Sequence, residues 1–417
     1  MKFTGYRCSV CGSEYEGSGQ LYLCPKDQGC LDVILDVERI RRTIEPSQLT
    51  GPDPERSHWR YLPLLPVEDP GGEGTPLRSV GLTPLYTLPA LRDRHGLKAF
   101  WLKDEGANPS ASFKDRASSL VAVRAVQVGA ETVVTASTGN AGAALAGMAA
   151  ALQLHAVVFA PSSAPQAKLA QMLAYGAEVI LVEGNYDRAT ALSLEVSREL
   201  GWYCRNTGYN PFTAEGKKTA AFEIWEQVRA GTIAISGGSP LSIFVSVGDG
   251  NIISGLHKGF RDLEELGWLE FQPRIFGVQA EGSAAVSRAF HAGGERIEAV
   301  RASTLADSIC VDMPADGLRA VRAARETGGT YITVKDEQIL HALAELGRVG
   351  VFTEPAAAAA YAGYLRALEM GLIDNEEPAL VLSTGSGLKD ITAVQRVVRE
   401  APVIEPTVEA VKRLLKL

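Results

Sequence analysis

Asn108-Pro109-Ser110-Ala111-Ser112-Phe113-Lys114-Asp115-Arg116 sets one lysine directly behind a Ser-x-Ser-Phe turn and directly ahead of a helix-like run, Ala117 to Val128. A lysine at the start of a helix is usually a solvated surface residue. Partly desolvated, the same amine sheds its proton and becomes a nucleophile suited to Schiff-base chemistry. Which of the two applies depends on what the rest of the chain supplies.

Three further loops repeat one design. Ser137-Thr138-Gly139-Asn140 follows the apolar run Val133-Val134-Thr135-Ala136 and precedes an alanine-rich helical pattern, Ala141 to Leu152. Phe244 to Val247 reads as a buried strand, Gly248-Asp249-Gly250-Asn251 as a turn, and Ile252 to Phe260 as a helix. Leu382-Ser383-Thr384-Gly385-Ser386-Gly387-Leu388-Lys389-Asp390 follows the strand-like Ala379 to Leu382. A small-residue turn feeding a helix leaves backbone N–H groups free for an anion, and glycine permits close approach. A dinucleotide-binding Gly-x-Gly-x-x-Gly is excluded at the second loop, because Ile253 stands where its last glycine belongs. Asp249 is an odd neighbour for a phosphate unless its carboxylate points away or is itself paired.

In this order the motifs resemble those of threonine synthase and its relatives among the fold-type II pyridoxal phosphate (PLP) enzymes. The first resembles that family's Asn-Pro-Thr-x-Ser-Phe-Lys-Asp-Arg, with Ser110 in place of Thr. The resemblance extends to Gly81-Leu82-Thr83-Pro84-Leu85, Leu102-Lys103-Asp104-Glu105 and Glu215-Gly216-Lys217-Lys218-Thr219. It implies an α/β fold like that of the tryptophan synthase β chain, with two parallel-sheet lobes. It also implies that Lys114 holds PLP as a Schiff base, that Asn140 lies beside the ring hydroxyl, and that Gly248, Asp249, Gly250 and Asn251 cradle the cofactor phosphate. Thr384 would bond the pyridine nitrogen; a neutral hydroxyl there does not enforce protonation, which suits elimination and replacement better than transamination. Ser112, Ser137 and Thr138 are expected at the amino acid substrate, and the freed Lys114 amine as the base at Cα and then Cβ. Glu354-Pro355-Ala356 also matches a family segment, with a structural helix start expected there.

Composition agrees with a soluble enzyme. The chain has 417 residues, 46% apolar and 22% charged, with a formal balance of 41 − 49 = −8, enough for two lobes plus an appendage. With no basic run, nucleic acid and anionic membranes are not expected partners. Met1-Lys2-Phe3-Thr4 leads into a cysteine pair rather than an apolar signal core, and six cysteines then point to a reducing, cytoplasmic setting. The most apolar stretch, Ala141 to Pro161, is interrupted by Gln153 and His155 and reads as helix then strand. Apolar strands near Val133, Val157, Val179, Ile243, Ile275 and Leu380 alternate with helical patterns such as Gln166 to Ala174 and Thr190 to Leu200. Glu45 to Thr75, rich in Pro, Gly and Glu, is expected to wrap the surface. The expected division is an N-terminal module over 1–40 and a catalytic region over 41–417, its smaller lobe near 118–210 and its larger lobe near 41–117 plus 211–417. A homodimer is expected.

Within the first 40 residues, Cys8-x-x-Cys11 and Cys24…Cys30 resemble a small zinc ribbon of the kind attached to some threonine synthases. The expected ligands are Cys8, Cys11, Cys24 and Cys30 for a structural zinc. Asp27 stands where a cysteine would be expected, so it is the alternative fourth ligand; the competing reading is a ribbon folded without metal. Cys204 and Cys310 are expected to be core thiols. The six histidines form no His-Glu-x-x-His, and no Gly-x-Ser-x-Gly elbow occurs, so zinc-protease and serine-hydrolase chemistry lack support.

The implied reaction is conversion of O-phosphohomoserine and water into threonine and phosphate by a PLP-dependent lyase of amino-acid metabolism. One departure bears on it. The family carries Asn-Ser-x-Asn-Pro-x-Arg before Glu-Gly-x-Lys-Thr, its serine and arginine gripping the substrate phosphate. Here Asn206-Thr207-Gly208-Tyr209-Asn210-Pro211-Phe212-Thr213 has one extra residue, and Thr213 holds the arginine's place. A hydroxyl does not replace a bidentate guanidinium; Lys168, Lys217 and Lys218 are the candidate substitutes. The alternative is a β-elimination or β-replacement enzyme acting on serine, threonine, phosphoserine or diaminopropionate. More distant are a non-catalytic PLP-binding regulatory protein and a nucleic-acid-binding ribbon on an inactive enzyme.

Overall fold

The computed structural model describes residues 3–17, 19–50, 55–235 and 239–417. Its strands form three sheets. The largest runs, in spatial order, Tyr331–Val334, Pro273–Ala280, Leu241–Ser246, Ala379–Ser383, Phe100–Asp104 and Leu85–Tyr86. Its first five strands are parallel, and the short edge strand Leu85–Tyr86 is antiparallel to its neighbour. Leu241–Ser246 and Ala379–Ser383 are buried at every position. Helices cover both faces of such a sheet, so its central strands read as unbroken apolar runs rather than alternating ones.

A second sheet, all parallel, has the order Glu178–Val182, His155–Pro161, Thr132–Ala136, Tyr203–Cys204. Its helices carry their own stop signals. Tyr186–Leu200 begins under the Asn185 side chain, which accepts from the Arg188 N–H at 3.2 Å, and ends at Gly201 in the left-handed region at φ 69°. The apolar stretch from Ala141 resolves into the helix Asn140–Ala151 and the strand His155–Pro161. Among the described residues, no helix is long and apolar enough to cross a membrane.

The N-terminal residues make a small antiparallel sheet, with Phe3–Cys8 between Glu14–Glu16 and Leu31–Leu35. It docks on the catalytic region through Phe3, whose ring meets that of Phe212 edge-on at 6.0 Å, and through Asp32, which is paired with Arg319 at 2.6 Å.

Two expectations are corrected. The segment from Glu45 does more than wrap the surface: among its described residues His58, Trp59, Tyr61, Leu64 and Leu65 are buried. The aromatic and leucine side chains outweigh the proline content that made the stretch look like a linker. Cys204 is a core thiol, but Cys310 is only half-buried.

Candidate active site

All four motif loops leave the C-terminal ends of parallel strands, where a doubly covered sheet opens its crevice. Thr132–Ala136 leads into Ser137, Leu241–Ser246 into Gly248, Ala379–Ser383 into Thr384, and Phe100–Asp104 into the turn before Lys114. Lys114 is the first residue of the helix Lys114–Gln127. The turn ahead of it holds Ala111 at φ 65°, a region that costs a residue with a Cβ. That conformation is clamped from the opposite strand end. The Ser386 N–H donates to the Ala111 carbonyl at 3.0 Å, the Phe113 N–H to the Thr384 carbonyl at 2.9 Å, and Ser112 bridges to Gly385. Lys114 and Thr384, distant in sequence, are thereby fixed to one another.

Lys114 keeps a partial opening to solvent. Burial among its neighbours pulls its amine below the usual lysine range; the Glu354 carboxylate opposes the shift and the Arg205 guanidinium adds to it. Asn140, first residue of its helix, donates through Nδ2 to Glu354 Oε1 and Oε2 at 3.0 and 3.1 Å. Burial raises the Glu354 carboxyl above its ordinary range, with Asn140 and Lys114 acting against it. Glu354 does precede a helix, Pro355–Glu369, with proline in its first turn, as expected. Its carboxylate, however, belongs to the site. A cavity of about 250 Å³ opens here, lined in part by Gly139, Asn140, Lys168, Ser308, Glu354 and Lys389.

The Ser137 hydroxyl accepts from the N–H groups of Gly139 and Gly142 at 3.1 and 2.9 Å, so it caps its own loop. Thr138 is half-buried beside it. Ser112 is fully buried, and its hydroxyl accepts weakly from the Lys114 N–H at 3.4 Å. Gly250, at φ 90°, starts the 15-residue helix Asn251–Glu265 without a side-chain cap, which leaves the helix's first N–H groups available. Gly250 is packed too: a Cβ would sit 2.7 Å from the Asp316 carbonyl. Asp249 answers the question its sequence raised. Burial lifts its carboxyl above the usual range, and Lys217 and Lys114 draw it back.

The turn is wired to the N-terminal sheet. Lys217 Nζ donates to Asn251 Oδ1 at 2.6 Å, and Asn251 Nδ2 to Asp316 Oδ2 at 2.7 Å. Arg319 then grips Asp316 with two bonds, at 2.6 and 2.8 Å, and Asp32 of the small sheet at 2.6 Å. None of this chain was visible in the sequence.

Of the three lysines considered as substitutes for the missing arginine, two are engaged by acids. Lys218 lies buried between Glu215 at 2.5 Å and Asp262 at 2.8 Å, and Lys168 pairs with Asp307 at 2.5 Å. Thr213 is buried and donates to the Asn210 carbonyl at 2.7 Å, which commits its hydroxyl locally. Arg205, singled out by no motif, is a buried guanidinium whose Nη2 has no hydrogen-bond partner.

In the N-terminal sheet, the structure brings Cys8, Cys11, Cys24 and Asp27 together, with their ligand atoms all within 4.8 Å of one another. Cys30 is not in this group. Its thiol donates to the Gly208 carbonyl at 3.1 Å, on the catalytic region.

A partly desolvated lysine amine at a helix start, a glycine turn at an uncapped helix N-terminus beside Lys217, and a neutral threonine at the third strand end fit PLP. The fold and this arrangement define a pyridoxal-phosphate-dependent enzyme of fold type II. The family described as pyridoxal-phosphate dependent enzymes matches residues 77–385. The threonine synthase of Methanosarcina acetivorans is 36% identical over 412 residues, 98% of each chain. That of Methanocaldococcus jannaschii is 36% identical over 413 residues, 98% of this chain and 99% of its own. The fold is also that of the processed threonine deaminase isoform 2 from Solanum lycopersicum (TM-score 0.65, 23% identity, 84% of this chain and 94% of that one). The chain belongs to the threonine synthase family of PLP-dependent enzymes, and it is a PLP-dependent lyase.

Proposed function

We propose that this enzyme converts O-phospho-L-homoserine and water into L-threonine and phosphate. The observation that carries the reading is the site built around Lys114: a partly desolvated amine, clamped to the Thr384 turn, with Arg205 and Lys217 as basic side chains without a carboxylate in hydrogen-bond contact among the described residues. Similarity to threonine synthases over 98% of the chain supports it.

Bound PLP would supply an electron sink for a carbanion at the substrate's Cα. Lys114, Asn140, Thr384 and the Gly248–Asn251 turn would hold it. Asn140 gives its amide hydrogens to Glu354, so its Oδ1 is the atom able to accept from the ring hydroxyl. The backbone of the Ser137–Asn140 loop would take the substrate carboxylate, with Thr138 and Ser112 as further substrate contacts. Burial lowers the Lys114 amine below the usual lysine range, which suits it to take the Cα proton and then the Cβ proton. The bond from Cγ to the phosphate oxygen breaks and Cγ gains a proton. Hydroxide from water adds at Cβ, and Cα regains its proton.

The test is incubation of the cofactor-loaded protein with O-phospho-L-homoserine, following phosphate and threonine together against Lys114→Ala. Both products, absent from the variant, are expected. If the loaded protein releases neither, the reading fails, and serine, threonine, phosphoserine and diaminopropionate become the substrates to try.

We also propose that Cys8, Cys11, Cys24 and Asp27 hold a structural zinc ion. Cysteine thiolates and aspartate carboxylates are both zinc ligands, and four protein ligands would leave no open position for catalysis.

A further inference from the structure

An isolated guanidinium is costly to bury, and proteins keep one only where an anion meets it. Arg205 is 1% exposed, and among the described residues no carboxylate lies within ion-pair distance of it. Its partners are neutral: Nε donates to Ser118 Oγ at 3.2 Å and Nη1 to Thr207 Oγ1 at 2.7 Å, while Nη2 has none. The contrast with other buried cations is sharp. Arg116 has Glu105 and Glu223, Arg319 has Asp32 and Asp316, and Lys258 has Asp262.

Its position is fixed from two sides. The Arg205 N–H donates to the Val134 carbonyl at 2.8 Å, which continues the strand Tyr203–Cys204 alongside Thr132–Ala136. The next residue, Asn206, accepts from Thr135 Oγ1 and the Ala136 N–H at 2.9 and 2.8 Å, directly ahead of the Ser137 loop. Ser118, which holds Nε, lies four residues after Lys114 on the same helix, so the two share a face and sit about 5–6 Å apart at Cβ. Arg205 therefore bonds a residue one helical turn from the reactive lysine, and the chain that follows it is held against the strand end ahead of the substrate-carboxylate loop. Burial pulls its guanidinium down to about 10, with only partial relief from Tyr186, Cys204 and Asp249. An arriving dianion would relieve that cost.

We infer that Arg205 is the residue that grips the substrate's phosphate, in place of the arginine that Thr213 displaces. The inference rests on the phosphorylated-substrate reading above. Thr207, bonded to the same guanidinium, orients it, and Nη2 is the free donor. Lys217 stays with the Gly248–Asn251 turn through Asn251 and serves the cofactor's phosphate. The two phosphates thus have separate cations, which a single shared lysine would not allow.

The test uses the full-length, cofactor-loaded protein and Arg205→Met, a change that keeps the volume and removes an unpaired buried charge, so that folding is not expected to suffer. Three readouts are taken: PLP affinity by absorbance titration, the rise in melting temperature with inorganic phosphate, and KM and kcat for O-phospho-L-homoserine. The wild type should gain thermal stability with phosphate as a binding ligand does. The variant should lose that gain, keep its PLP affinity, and show a KM raised by roughly 100-fold, the loss of one to two charge-assisted bonds. Arg205→Lys should recover part of the phosphate response.

Equal phosphate stabilisation in wild type and variant would overturn the inference. So would a large loss of PLP affinity with KM unchanged, which assigns the guanidinium to the cofactor. Failure of the proposed reaction is distinguishable from both. In that case the wild type turns over no O-phospho-L-homoserine, while the Arg205-dependent phosphate response still upholds the anion site.

Discussion

Replacing Arg116 by Met tests why the lysine motif ends in arginine. Arg116 lies wholly buried two residues after Lys114, where Nε and Nη2 bond Glu105 at 2.7 and 2.8 Å and Nη1 and Nη2 bond Glu223 at 2.5 and 2.9 Å. Lys103 pairs with Glu223 at 2.8 Å, so two cations and two anions cancel inside the core. In R116M, Glu223 keeps Lys103 and the N–H groups of Leu82 and Thr83. Glu105 keeps only the neutral donors Thr83 Oγ1 and Asn108 Nδ2, both at 2.8 Å. A stranded buried carboxylate costs about 3–5 kcal/mol, a large share of the roughly 5–15 kcal/mol that holds a domain folded. Urea unfolding followed by circular dichroism should show the unfolding free energy fall by that amount, as a lower midpoint at an unchanged slope. The double variant E105Q/R116M removes the stranded charge and should regain about half of the loss. A single variant within about 1 kcal/mol of wild type, or a double variant no better than the single, would falsify the account of a mutually neutralising quartet.

Gly216→Ala would put a Cβ 1.9 Å from the Arg116 carbonyl oxygen, where the Lys114 helix and Phe212–Lys217 touch backbone to backbone. Overpacking of this kind costs about 1–3 kcal/mol or more, and displacement of Lys114 should weaken the cofactor's absorbance as well as lower the melting temperature. His58 is buried against Thr219 and Ser119, and its imidazole is pulled down to about 3 by burial and then by the Arg116 charge. A folded-state value below the unfolded one means that its contribution is complete above about pH 6.5 and is lost as pH falls toward 3. His58→Gln should therefore flatten the stability–pH curve across that window, and an unchanged slope would refute the assignment. For the N-terminal group, Asp27→Ala should lower zinc retained after dialysis against a chelator, whereas Cys30→Ser should not. Equal losses in the two variants would return Cys30 to the ligand set.

Residue order alone revealed the parts that local chemistry specifies. Lys114, Asn140, Thr384 and the Gly248–Asn251 turn could be singled out because each lies in a short segment beside a strand end that resembles a family motif. The buried strands of the large sheet were legible as apolar runs, as in Leu241–Ser246. The rest depended on pairs far apart in the chain. Glu354 reads as a helix start and becomes a site residue only because Asn140, 214 positions away, meets its carboxylate. Asp32 and Arg319 are ordinary surface charges in sequence, and 287 positions separate the partners that tie the N-terminal sheet to the glycine turn. Asp27, not Cys30, joins Cys8, Cys11 and Cys24, because the Cys30 thiol is taken up by the Gly208 carbonyl, 178 positions away. Arg205 carried a faint signal, a lone arginine following the apolar Tyr203-Cys204, but its missing counter-ion is a property of the packed interior. A motif fixes which chemistry is available; burial and the choice of distant partners decide which charges are neutralised and which are left for a ligand.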